Sequence, residues 1–309
     1  VDTRITTQHS AGKSSFVNWY VGEDVQNTGV AVETQGFTIV TSGNHFEELK
    51  GHGAVVVNPH IESVLNKLSP SDREAFKDNL SVVVTRSKAK HFAMADFVDT
   101  PGLVDGNVVY PFDVNKCIVE MAAVVDLILV FLDPIGQALC SRTMDVVEEL
   151  NRVGYAEKMH YYLTKADTVD SAGDLRKIIV QITQNITSRV SPSHGFNVPT
   201  LWIPKAEGSA PPRTAAGDGE VNELGKLCNE IVKTIQRKVQ ANMRKLDEDA
   251  ALVKDTVQNE LAVDARKRAL ISRWTLYRIA MLPVFAVLVL LSCFDLLVSF
   301  EHRFPASVR

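Results

Sequence analysis

A lysine held between a glycine and two serines, in Ser10-Ala11-Gly12-Lys13-Ser14-Ser15, constrains this chain more than any other stretch. The residues after the lysine fit a helix over Ser14–Tyr20. A loop that opens into a helix presents successive backbone N–H groups and the positive end of the helix dipole, an arrangement suited to anions. Lys13 would reach the terminal phosphates of such an anion and the Ser14 hydroxyl would bind Mg²⁺. The wider pattern, G-x-x-x-x-G-K-[ST], would place its leading glycine at position 7, where Thr7 stands. A Cβ there strains the loop if φ is positive, by about 1–2 kcal/mol. Taken alone, the stretch also reads as a serine-capped helix with no ligand.

The first two-thirds of the chain alternates short apolar runs with helical patterns, as in an α/β fold with a mostly parallel sheet. The clearest strands are FTIV (Phe37–Val40), FAMADFVD (Phe92–Asp99), DLILVFLD (Asp126–Asp133), HYYLT (His160–Thr164) and LWIP (Leu201–Pro204). AVVV (Ala54–Val57) and SVVVT (Ser81–Thr85) read as two more, and helices fit Arg142–Asn151 and Leu175–Ser188. There is little room for a strand before the loop, so the N-terminus is expected to be incomplete. Gly, Pro and Ala dominate residues 207–220, which marks a linker after a nucleotide-binding domain over residues 1–206. From Val221 to about Leu276 apolar residues recur, three or four places apart at Leu224, Leu227, Ile231, Ile235 and Val239, and again at Leu252, Val257 and Leu261. That spacing predicts a helical stalk over 221–278, as one long helix or a hairpin.

Two further motifs stand at strand ends. Asp99-Thr100-Pro101-Gly102 offers a carboxylate for the Mg²⁺ shell and a Gly102 N–H able to sense a γ-phosphate. In Thr164-Lys165-Ala166-Asp167 the aspartate suits the N1–H and 2-amino group of guanine, with the lysine stem along the base. Thr34, in the loop 27–36, could close on Mg²⁺ when a γ-phosphate is present. Together these predict a P-loop nucleotide-binding domain. Of the 309 residues 45% are hydrophobic and 23% charged, the balance of a globular protein. A net charge of -4 argues against nucleic acid as a partner. Cys117, Cys140, Cys228 and Cys293 form no C-x-x-C pair, which fits neither a zinc site nor a disulfide framework.

On SAGKSS, DTPG and TKAD the chain resembles the dynamin superfamily of large GTPases over roughly residues 5–206. NTGVAVETQGFTIVTSG (Asn27–Gly43) and FVDTPGLVDG (Phe97–Gly106) are similar to the EH-domain-containing (EHD) branch. The resemblance implies Mg²⁺-dependent GTP hydrolysis stimulated by self-assembly through the G domain and stalk, coupled to membrane remodelling or tethering. It places Ser10, Thr34 and Gly102 in the hydrolytic step. It places Ser10, Ala11, Gly12, Lys13, Ser14, Ser15, Thr164, Lys165 and Asp167 on the nucleotide, and Ser14, Thr34 and Asp99 on the metal. Leu103 stands where small GTPases carry a water-orienting glutamine, which predicts slow turnover before assembly. Two alternatives stay open, an EHD-like ATPase and a non-hydrolysing nucleotide-binding membrane scaffold.

Ile279–Phe294 is apolar apart from Ser292. At 1.5 Å per residue it reaches about 24 Å, and an extension to Phe300, past Asp295, about 33 Å, against a ~30 Å hydrocarbon core. Arg266, Lys267, Arg268, Arg273 and Arg278 precede the run, with Trp274 and Tyr277, and only Arg303 and Arg309 lie beyond it. The expectation is a transmembrane anchor over 279–300 with a short tail over 301–309 and the nucleotide domain in the cytosol. The alternatives are a buried core helix and a re-entrant segment.

Overall fold

The computed structural model describes residues 3–8, 12–28, 36–103, 105, 109–134, 140–169, 171–190, 197–204 and 222–303. β1 (Thr3–Gln8) runs parallel to β5 (Ala95–Asp99) on one side and β6 (Leu127–Leu132) on the other. Beyond β6 lies β7 (Met159–Leu163), and beyond β5 come β2 (Phe37–Ser42), β4 (Leu80–Thr85) and β3 (Glu47–Lys50). The sheet is therefore mostly parallel, with antiparallel joins only at β2–β5 and β3–β4 among the described strands.

Both faces of this sheet are covered, and the sequence shows why. LILVFL in β6 is buried at every position, the unbroken apolar run of a parallel strand with helices on either side. On one side α1 (Lys13–Val21) buries Phe16, Val17, Tyr20 and Val21, spaced to share one helix face. The Phe16 ring meets Phe131 edge-on with centroids 5.3 Å apart, and the α1 C-terminus closes on Gly22 at φ 79°. On the other side lies the larger core, to which α2 (His52–Val57), α3 (His60–Leu65), α4 (Pro70–Asp78), α5 (Val114–Ala122), α6 (Ser141–Val153) and α7 (Ala172–Arg189) contribute.

The last element, α8, covers Leu224–Arg303 as one helix. Its first turns belong to the compact unit Val1–Ala241, where Leu224, Leu227, Ile231 and Ile235 join the core with Phe16 and Phe131. Lys238 pairs with Asp126 at 2.8 Å. The second unit, Asn242–Arg309, carries the apolar run, exposed from Ile279 to Leu297, with Leu282 at 64% and Phe294 at 64%. An 18-residue window here has a mean hydropathy of 2.4, apolar enough to span a membrane. The fold is thus that of a P-loop NTPase domain followed by a long helix of this character.

Several expectations need correction. Thr3–Gln8 is a strand in the middle of the sheet, so the space before the loop is sufficient. AVVV is α2, not a strand. Gly51, at φ 59° and ψ -126°, turns the chain out of β3, and only Ala54 of the run is buried. Phe92–Met94 is a 3-10 turn that leads into β5. LWIP forms no strand: Thr200 makes an isolated bridge to Leu163, through Leu163 N–H to Pro199 O at 2.9 Å and Leu201 N–H to Leu163 O at 2.7 Å. Pro283 lies inside α8, where it has no N–H to donate to the carbonyl one turn before it.

Candidate functional site

Register brings the motifs together. Thr7 of β1 stands opposite Asp99 of β5, and Leu132 of β6 opposite Leu163 of β7. The four carboxyl ends therefore lie along one edge of the sheet, where open α/β sheets bind ligands.

Gly12 precedes α1 at φ 81° with open space where a Cβ would stand, so the requirement for glycine is conformational. Lys13 is 4% exposed. Burial pulls its ammonium below the usual lysine value, and the nearby Asp99 charge opposes that shift. The Ser14 hydroxyl donates to Asp99 Oδ2 at 2.7 Å, and Asp99 and Thr100 are fully buried. Two motifs 85 residues apart thus meet in one hydrogen bond. The expected strain at Thr7 does not arise: Thr7 lies in the extended strand β1, paired to Asp99 and Leu129. The lacking glycine is a strand residue here. Ser10, Ala11 and Thr34 lie outside the described residues.

After Asp99 the chain stays anchored to the domain. Leu103 is fully buried, and the Tyr110 hydroxyl donates to the Gly102 carbonyl. Asp105 accepts from Ser141 N–H at 2.9 Å, Arg142 N–H at 3.3 Å, the Ser141 hydroxyl at 3.0 Å and the Cys140 thiol at 3.1 Å. These donors at the α6 N-terminus hold its carboxyl down to about 2. Sequence reasoning misses Asp105, although the residue lies within FVDTPGLVDG, because its partners stand more than 30 residues away.

At the β7 end, the Thr164 N–H and hydroxyl both donate to the Leu132 carbonyl, at 2.8 and 3.1 Å. Lys165 follows at φ 51°, and its Nζ meets Asp133 Oδ2 at 2.7 Å. Lys165 and Asp167 line a cavity of about 240 Å³ with Gly12, Ser15, Phe16 and Trp202. The structure thus brings the glycine loop and the TKAD turn to one hollow, with apolar Phe16, Phe131, Leu201 and Ile203 in its walls. Asn222 holds one wall: its amide donates to Trp202 O at 2.8 Å and accepts from Trp202 N–H at 3.3 Å. The same side-chain oxygen accepts from Leu224 N–H at 3.2 Å at the start of α8.

The fold and this edge define a P-loop nucleotide-binding class of protein. Residues 5–135 match the profile of the Dynamin family. No curated protein sequence matches the chain. Among solved structures, two of an oligomerised bacterial dynamin pair, described in terms of the long-range sensing and tethering of membranes, are similar to it. One has a TM-score of 0.47 and 16% identity, covering 88% of this chain and 46% of that one. The other has a TM-score of 0.46 and 15% identity, covering 98% and 59%. Aquifex aeolicus Era bound to GDP·AlF₄⁻ has a TM-score of 0.39 and 13% identity, covering 75% and 56%. The chain thus spans between 46% and 59% of the length of these structures.

Proposed function

We propose that this protein is a membrane-anchored, dynamin-like GTPase whose self-assembly is coupled to membrane remodelling or tethering. The observation that carries the reading is the Ser14–Asp99 hydrogen bond beside the buried Lys13 at the head of α1. Backbone N–H groups of Gly12 to Ser15 would hold the α- and β-phosphates, and Lys13 the β- and γ-phosphates. Two hard oxygen donors, Ser14 and Asp99, suit a cation that keeps waters and phosphate oxygens as its remaining ligands. Ser14, Asp99 and Thr34 would hold Mg²⁺, which when bound neutralises charge on the phosphates. The Gly102 N–H would sense the γ-phosphate, and Ser10 would orient the attacking water. Leu103 is buried and apolar, so turnover waits on geometry supplied by assembly. Asp167 would accept from guanine while the Lys165 stem lies along the base.

The apolar run of α8 supports the anchor: a core helix would bury it, and here the window is 0% buried. The basic residues from Arg266 to Arg278 before it favour a cytosolic nucleotide domain.

The test is Mg²⁺-dependent binding of fluorescent GTP and ATP to the full chain in detergent, beside Lys13→Ala and Asp167→Ala. The expected result is GTP binding that is lost with Lys13→Ala, and a preference over ATP that is lost with Asp167→Ala. ATP binding indifferent to Asp167 would instead support an EHD-like ATPase. Binding of neither nucleotide would contradict the proposal.

A further inference from the structure

Lys165 does not lie loose in the base cavity. Its backbone is held by the neighbouring bonds: Thr164 is fastened to the Leu132 carbonyl, and the Lys165 carbonyl accepts from the Thr168 hydroxyl at 2.7 Å. Its ammonium is held by Asp133, the residue after β6, at 2.7 Å. That carboxylate side chain is only 13% exposed, while the lysine side chain is 45% exposed. Asp167 stands two residues along the same turn and lines the same cavity, and it makes no ion pair among the described residues.

We infer that Asp133 is a positioning residue for base selection: it draws the Lys165 ammonium away from Asp167, so that Asp167 can receive the base. This rests on the nucleotide-binding reading above. The two carboxylates would otherwise share one cation. An ammonium on Asp167 would compete for the oxygens that guanine needs for its N1–H and 2-amino hydrogens. It would also set a positive charge against an edge that donates hydrogens, and it would favour adenine, whose N1 is an acceptor. Held by Asp133, the lysine offers its four-carbon stem as an apolar surface with the charge at its far end.

The test uses the full chain in detergent and three probes: fluorescent GTP, fluorescent ATP and inorganic tripolyphosphate as a competitor that has no base. Asp133→Asn, which keeps the shape and removes the charge, is expected to lower the GTP-over-ATP preference about tenfold, the scale of one lost charge-assisted bond. Tripolyphosphate affinity is expected to stay unchanged. Adding Lys165→Met, which keeps an apolar stem and removes the cation, is expected to restore the preference. A mere loss of folding would give neither the unchanged tripolyphosphate binding nor the rescue. An unchanged preference in Asp133→Asn would overturn the inference, as would loss of all three probes without rescue by Lys165→Met. If the unsubstituted chain binds tripolyphosphate but shows no guanine preference, the inference also fails. If it binds none of the three, the proposed function fails first and takes the inference with it.

Discussion

The two apolar stretches of α8 obey different rules. In the first turns Leu224, Leu227, Ile231 and Ile235 recur at helical spacing among polar residues, and all four are buried on the sheet. In the later stretch apolar residues occupy every side of the helix, and Ile279, Leu282, Phe285 and Leu290 are all more than half exposed. A stripe matches one protein surface, whereas an apolar surface all round matches a solvent that is itself apolar. The same helix therefore carries one segment that stabilises the nucleotide domain and one that we assign to the bilayer.

The largest expected effect separates the two. Leu288→Arg places a charge near the middle of the run, where insertion costs roughly 2.5–3.5 kcal/mol. It is expected to abolish carbonate-resistant membrane association and to leave nucleotide binding in detergent intact, as read by flotation and fluorescence. Ile231→Ala should do the reverse. Loss of a fully buried aliphatic side chain costs about 2–5 kcal/mol, so thermal unfolding of the domain should fall while membrane association persists. Asn222→Ala is milder, about 0.5–1.5 kcal/mol for each of the hydrogen bonds it removes from Trp202 and Leu224. Because Asn222 also holds Trp202 in the cavity wall, that variant should weaken GTP binding more than it lowers the melting temperature.

The smallest effect is one of pH. Asp105 has its carboxyl lowered from 3.8 to about 2 in the fold. Its contribution to stability is therefore present above about 4 and is lost as the pH falls from about 4 toward 2. The side chain is exposed, so solvent screens the contribution, and Asp105→Asn is expected to flatten the acid limb of the stability curve only slightly.

How much of the fold and site is legible in the sequence depends on the distance over which each signal acts. The glycine loop, DTPG and TKAD can be read because each packs its chemistry into a few adjacent residues. Their meeting on one edge comes from parallel strands. β1 escapes notice because TRITTQ offers one large apolar residue, Ile5, where a central parallel strand usually reads as an unbroken apolar run. AVVV misleads in the opposite sense: β-branched residues favour a strand, yet Gly51 starts a helix there and leaves Val56 65% exposed. Asp133 carries no local mark, because its partner lies 32 residues away and only the β6–β7 register sets them side by side. The strain expected at Thr7 rests on the loop pattern alone and vanishes once the residue lies in a strand.

The measurement closest to the central claim is Mg²⁺-dependent GTP turnover by the full chain, in detergent and after reconstitution into anionic liposomes at rising protein density, beside Lys13→Ala. The account predicts slow turnover in detergent, a rise with density on the membrane, and none for Lys13→Ala. Turnover no higher than that of Lys13→Ala under either condition would contradict it.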